Sequence, residues 1–128
     1  MTVSELVLAS HKAAKAKGFY DQGPRNIGEL LMLTVSELSE ALEAHRHGKR
    51  ANPLGGDIKN VWQEINGKTM VNPYIFESDI KDSLEDELAD AVIRIADMAG
   101  YLGIDLESHV LAKMSYNETR PQKHGKAY

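Results

Sequence analysis

The chain has 128 residues, no cysteine and a formal net charge of -4, which allows one self-sufficient core and excludes disulfide frameworks, thiolate-held metals and cysteine nucleophiles. Any metal must be held by oxygen or imidazole. The acidic balance argues against a duplex-binding face, and no stretch is apolar for the length of a bilayer. The expectation is therefore a soluble cytoplasmic protein of one domain, residues 1–128, with neither a nucleic-acid polymer nor a membrane as partner.

Apolar residues recur at helical spacing in four places, and no segment shows the alternation of a half-buried strand, so the predicted fold class is all-α. The first helix starts at Thr2, where Thr2 and Glu5 can form a capping box, and ends at Gly18, with Leu6, Ala9, Ala13 and Ala16 on its inner stripe. The second runs from about Asn26 to His47 and stops at Gly48. Residues 48–76, rich in Gly, Pro, Asn and basic side chains, are too long for a simple joint. Within them Ile58, Val61, Trp62 and Ile65 follow Asp57 at one-face spacing, which predicts a short helix in a long insertion. A third helix spans roughly Ser78 to Leu102 and is closed by Gly103, after which Asp105 caps a fourth that continues to about Asn117. Four helices with short joints define a four-helix bundle-like architecture.

On a wheel of about 100° per residue, Ile27, Leu31, Val35, Leu38 and Leu42 form one apolar stripe of helix two, and Leu30, Leu33, Ala41 and Ala44 form a second beside it. Glu37 projects from within the second stripe. Glu40 lies one turn along in a neighbouring direction, so the two carboxylates reach a common point, whereas Glu43 points elsewhere. Helix three repeats the anomaly. Leu84, Leu88, Ala91, Val92, Ile95, Met98, Ala99 and Leu102 cover one broad face, and Ala89, Ile93, Ala96 and Gly100 cover much of another. The remaining strip holds Glu87, Asp90, Arg94 and Asp97. Crowded, partly buried carboxylates bind protons or find cations, and Arg94 can satisfy one or two. If the strip faces helix two, Glu37, Glu40, Glu87 and Asp90 make an all-oxygen site for a hard cation such as Mg²⁺ or Mn²⁺. The competing interpretation is a pair of solvated helix faces.

Weaker patterns are set aside. Gly67-Lys68-Thr69 matches the end of a phosphate-binding loop, but Trp62 stands where that loop needs glycine, and no strand is predicted before it. His45 and His47 diverge on a helix and make a poor zinc pair. With Arg46, Lys49 and Arg50 they complement the end of the helix dipole, or attract a triphosphate. Trp62 and Tyr20 read as core aromatics rather than base-stacking platforms.

Glu37-Leu-Ser-Glu40 followed by Glu87-Leu-Ala-Asp90 resembles the ExxE and ExxD signature of the MazG-like all-α nucleoside triphosphate pyrophosphohydrolases. The tail from Lys113 through Asn117 to Arg120 is similar to the K-x-x-x-N-x-x-R ending of many members. The resemblance covers about residues 26–124. It implies a helical bundle that forms a homodimer or homotetramer, holds Mg²⁺ through Glu37, Glu40, Glu87 and Asp90, and hydrolyses a nucleoside triphosphate to the monophosphate and pyrophosphate. In that chemistry Glu37 or Glu40 orients the attacking water. Lys113, Asn117 and Arg120 bind substrate phosphate by the same resemblance; on spacing alone they suit the C-terminal charge of helix four. Two features depart from the family pattern. Ser36 replaces an additional Glu, and residues 41–86 form a connection longer than the usual hairpin. A helical module that binds nucleotide or protein without turnover is the alternative from another class.

Overall fold

A computed structural model describes residues 1–128 as five α-helices, three short 3-10 turns and one two-stranded sheet. Helix α1 (Val3–Ala16) begins with the expected capping box, in which the Thr2 hydroxyl accepts from the Glu5 amide and the Glu5 carboxylate accepts from the Thr2 amide. Helix α2 (Ile27–Arg46) is capped by the Asn26 side chain, and its chain reverses at Gly48, whose φ of +65° suits a residue without a Cβ. Helix α5 (Leu106–Glu118) is capped by Asp105. The chain is predominantly α-helical, and no helix is long and apolar enough to cross a membrane.

The connection after α2 departs from expectation. The one-face spacing of Ile58, Val61, Trp62 and Ile65 covers a 3-10 turn, Ile58–Val61, which Asp57 caps, and then strand β1 (Trp62–Ile65). This strand pairs antiparallel with β2 (Lys68–Val71), with Trp62 opposite Val71 and Ile65 opposite Lys68. Asn66 and Gly67, at φ +51° and +74°, form the two-residue joint. An Asn-Gly pair in this conformation matches the right-handed twist of a hairpin. A strand thus precedes Gly67-Lys68-Thr69, but Gly67 ends a hairpin turn and Lys68 and Thr69 open β2, so the tripeptide is not a phosphate loop. Trp62, expected in the core, is half exposed on it.

The predicted helix from Ser78 to Leu102 is two helices, α3 (Pro73–Asp79) and α4 (Leu84–Leu102). Asn72 caps α3, with Pro73 in its first turn. The chain breaks at Asp82, where φ is +57°, and restarts as the Ser83 hydroxyl accepts from the Asp86 amide and the Asp86 carboxylate accepts from the Asp82 amide.

The chain divides into two compact units, Asn26–Val92 and a second made of Met1–Arg25 with Ile93–Tyr128. In the second, Val7, Ala96 and Ala99 form a small buried core, edged by Val3, Leu6 and Leu106. The buried line of α1 includes Val7 and Ser10 rather than the Leu6, Ala9, Ala13 and Ala16 stripe. The reason is Gly100: an ideal Cβ there would lie 2.6 Å from the His11 Cβ and 3.3 Å from the Val7 carbonyl, so α1 turns its Val7 and His11 side onto a helix position that lacks a side chain. Beside this contact Asp97 accepts from the Tyr20 hydroxyl at 2.9 Å and bonds the His11 Nδ1 at 2.8 Å. Burial, then the bond to Asp97, pushes the Tyr20 hydroxyl far above the usual tyrosine range, so it remains a donor. Asp97, expected on a polar line with Glu87 and Asp90, is thus engaged in a separate network.

Gly100→Ala tests this packing by its sign. On an open helix face the change stabilises by up to about 1 kcal/mol. Here it is expected to destabilise by about 1–3 kcal/mol through overpacking, read as a lowered midpoint in denaturant; an unchanged or raised midpoint would contradict the close approach.

Candidate metal centre

The four acids predicted to hold a metal, Glu37, Glu40, Glu87 and Asp90, all fall in the unit Asn26–Val92. Helix α2 buries Leu30, Thr34, Glu37, Ala41 and Ala44, so Glu37 occupies the middle of an otherwise small or apolar line. The Thr34 hydroxyl returns its hydrogen bond to the Leu30 carbonyl, so it adds no unsatisfied donor beside Glu37. On α4 the buried positions before residue 93 are Glu87 and Ala91.

The start of α4 is fixed from outside the helix. Glu85 accepts from the Ala51 amide at 2.9 Å and from the Arg50 guanidinium, while the Leu84 amide donates to the Lys49 carbonyl at 3.1 Å. The Ala51 N–H, ahead of the Arg50 charge, holds the Glu85 carboxyl below the ordinary glutamate value. These bonds tie the segment that ends α2 to the first turn of α4.

This arrangement brings one carboxylate oxygen each from Glu37, Glu87 and Asp90 within 4.8 Å of one another. Glu37 and Glu87 are only 6% exposed, whereas Asp90 is exposed. Glu40 is also exposed and lies close enough to Glu87 to act on its carboxyl. Three of the four predicted acids therefore converge, and Glu40 acts on the cluster through Glu87. Burial, then the charge and hydrogen bond of Glu40, then Glu37 and Asp86, push the Glu87 carboxyl up to about 7. The donors are all oxygen, and the fold holds them closer than their charges favour. Such a set fits a hard divalent cation, which relieves repulsion and keeps its remaining positions for water or substrate.

A second trio, Asp82, Asp86 and Glu87, also lies within 4.8 Å. Sequence reasoning missed it, although Asp82-Ser83-Leu84-Glu85-Asp86 carries a helix-start pattern. Its acids already have partners: Asp82 pairs with Lys49 at 3.6 Å and Lys81 at 3.5 Å, and Asp86 accepts from the Asp82 amide. This trio serves the start of α4.

Lys113, Asn117 and Arg120 lie in the other unit, on and just beyond α5. Lys113 and Arg120 place their charges 5.0 Å and 5.8 Å from the Tyr116 ring centroid, and the Arg120 guanidinium donates to the His124 carbonyl. The Asn117 side-chain oxygen is buried without a partner. The structure therefore gathers the two cations around one aromatic ring. Comparison with known proteins finds no matching family model, no matching curated protein and no matching solved structure.

The raised Glu87 value fixes the direction of a pH effect. The fold favours the neutral acid, so this contribution to stability is complete below the unfolded value of 4.5 and is lost as pH rises through about 7. In chelator, Glu87→Gln is expected to unfold at a higher temperature than the parent above neutral pH and to lose most of this advantage below pH 4.5. Parallel stability curves for the two proteins would show that Glu87 is not strained.

Proposed function

We propose that the chain is a Mg²⁺-dependent nucleoside triphosphate pyrophosphohydrolase that cleaves an NTP or dNTP to the monophosphate and pyrophosphate, with Mn²⁺ as a substitute metal, in the upkeep of a cytoplasmic nucleotide pool. The convergence of Glu37, Glu87 and Asp90 from two helices carries this reading. The ordered ExxE and ExxD motifs, similar to those of the MazG-like enzymes, supply the reaction class.

Glu37, Glu87 and Asp90 would hold the metal, with Glu40 beside them. Bound there, Mg²⁺ supplies positive charge against phosphate oxygens that four carboxylates would otherwise repel. Glu40 is an exposed acid outside the converging trio, and we assign it to orient the attacking water and take its proton. As the water oxygen bonds to the α-phosphorus, the bond from that phosphorus to the bridging oxygen breaks. Pyrophosphate leaves with the electron pair. Lys113, Asn117 and Arg120 are assigned to phosphate by resemblance.

The exposure of the large side chains of α2 supports a homo-oligomer. Leu30, Ala41 and Ala44 of the second apolar stripe of α2 are buried around Glu37, but Leu31, Leu38 and Leu42 of the first stripe are 51%, 49% and 49% exposed, with Val35 alongside. Their 4-3-4 spacing is that of a coiled-coil seam, and it is symmetric about the midpoint between Ser36 and Glu37. Antiparallel pairing of α2 with α2 of a second copy sets Leu31 opposite Leu42 and Val35 opposite Leu38, the self-complementarity a two-fold interface requires.

Incubation with a panel of standard and modified nucleoside triphosphates plus Mg²⁺ is expected to release pyrophosphate from at least one. Glu37→Gln and Asp90→Asn are expected to abolish release while remaining folded. No release from any triphosphate by folded protein would favour a binding module without turnover, and wild-type rates in either variant would displace the site. Light scattering is expected to find a dimer or tetramer that Leu38→Glu converts to monomer; a monomeric parent would refute the seam.

A further inference from the structure

One cleft of the Asn26–Val92 unit adjoins the acid cluster. Its volume is about 410 Å³, within the range of small-molecule sites. Glu40, Glu43, Asp82 and Glu87 line it together with His47 and Lys49. A metal-bound triphosphate that reaches Glu40 must lay part of its tail in this space. One divalent ion leaves much of that tail's negative charge uncompensated, so the cleft needs a cation of its own. Two lining residues are basic. His47 is turned back on its own helix, with Nδ1 3.0 Å from the Glu43 carbonyl and 3.3 Å from the Glu43 carboxylate.

Lys49 is different. Its backbone is fixed at both ends, because its amide donates to the Ala44 carbonyl at 2.8 Å, closing α2, and its carbonyl accepts from the Leu84 amide, opening α4. The residue is thus located relative to both acid-bearing helices. Its ammonium, by contrast, is loosely held. The only ion pair it makes is with Asp82 at 3.6 Å, and both side chains are more than half exposed. Exposed pairs of this length contribute little, so exchanging Asp82 for a phosphate carries a small cost, and a lysine brings three donors on a flexible stem.

We infer that Lys49 is a phosphate-binding cation of the candidate metal centre, held at the cleft by Asp82 and transferring its charge to the polyphosphate tail of the metal-bound nucleotide. This rests on the pyrophosphohydrolase reading and adds to it a binding residue from the connection after α2, in the same unit as the acids.

The test is calorimetric titration of the full chain, first with Mg²⁺ alone and then, at saturating Mg²⁺, with inorganic tripolyphosphate, which keeps the charged tail of any nucleotide and omits the base. Lys49→Gln is expected to weaken tripolyphosphate binding by about tenfold or more, the scale of a lost charge-assisted bond. Lys49→Arg is expected to stay within about threefold of the parent, since charge is the property required. Affinity for Mg²⁺ alone is expected to be the same in all three proteins, which also reports an intact fold. Equal tripolyphosphate affinity in the parent and Lys49→Gln would overturn the inference. So would a parent that binds Mg²⁺ but not tripolyphosphate, an outcome that leaves the metal centre standing. A parent that fails to bind Mg²⁺ would overturn the pyrophosphohydrolase reading itself.

Discussion

The arrangement turns on like charges held together by a scaffold of small residues. Glu37, Glu87 and Asp90 approach within 4.8 Å although two of them are nearly withdrawn from water. The buried neighbours on the same helices include Ala41, Ala44 and Ala91, which leave room for carboxylates and return little apolar energy of their own. A fold that optimised only its stability would fill these positions with leucine. The cost of gathering acids is visible in Glu87, whose proton is retained to about 7. In the proposed enzyme a divalent ion removes that cost and joins α2 to α4 through the ligands it shares, so metal binding and the stability of this unit become one equilibrium.

The large apolar side chains of α2 and α4 complete the same logic. With alanines and acids inside, Leu31, Leu38 and Leu42 on α2, and Leu88 and Val92 on α4, remain about half exposed. A stripe of this size is more than the scatter of single apolar residues on an ordinary surface. The proposed second copy therefore supplies the apolar burial that the acid cluster displaces from the interior.

Much of the local structure was legible because it depends on few residues. Thr2 with Glu5, Asn26 and Asp105 announced three helix starts, and Gly48 announced a helix end. The acids were legible as charges interrupting apolar periodicity, and the structure brings Glu37, Glu87 and Asp90 together, with Glu40 close enough to act on Glu87. Other features depend on tertiary packing or on short signals. The hairpin rests on the dipeptide Asn66-Gly67, which was overshadowed by an apolar spacing that fits a helix and a strand equally over so short a run. The break before α4 rests on a positive φ at Asp82, which no periodicity reports. Which of two apolar stripes on α2 faces inward was not decidable from the stripes themselves, since the larger side chains proved to be the outer ones. Asp97 shared a helical line with Glu87 and Asp90, but its partners His11 and Tyr20 come from the region of α1, a pairing set by the missing side chain at Gly100.

The central claim, that these acids converge to hold a divalent ion, is tested most directly by diffraction from crystals grown with Mn²⁺. The account predicts an anomalous peak bonded to carboxylate oxygens of Glu37, Glu87 and Asp90, with water or Glu40 completing the shell. Crystals at neutral pH in millimolar Mn²⁺ that show no such peak, with these side chains turned apart, would contradict it.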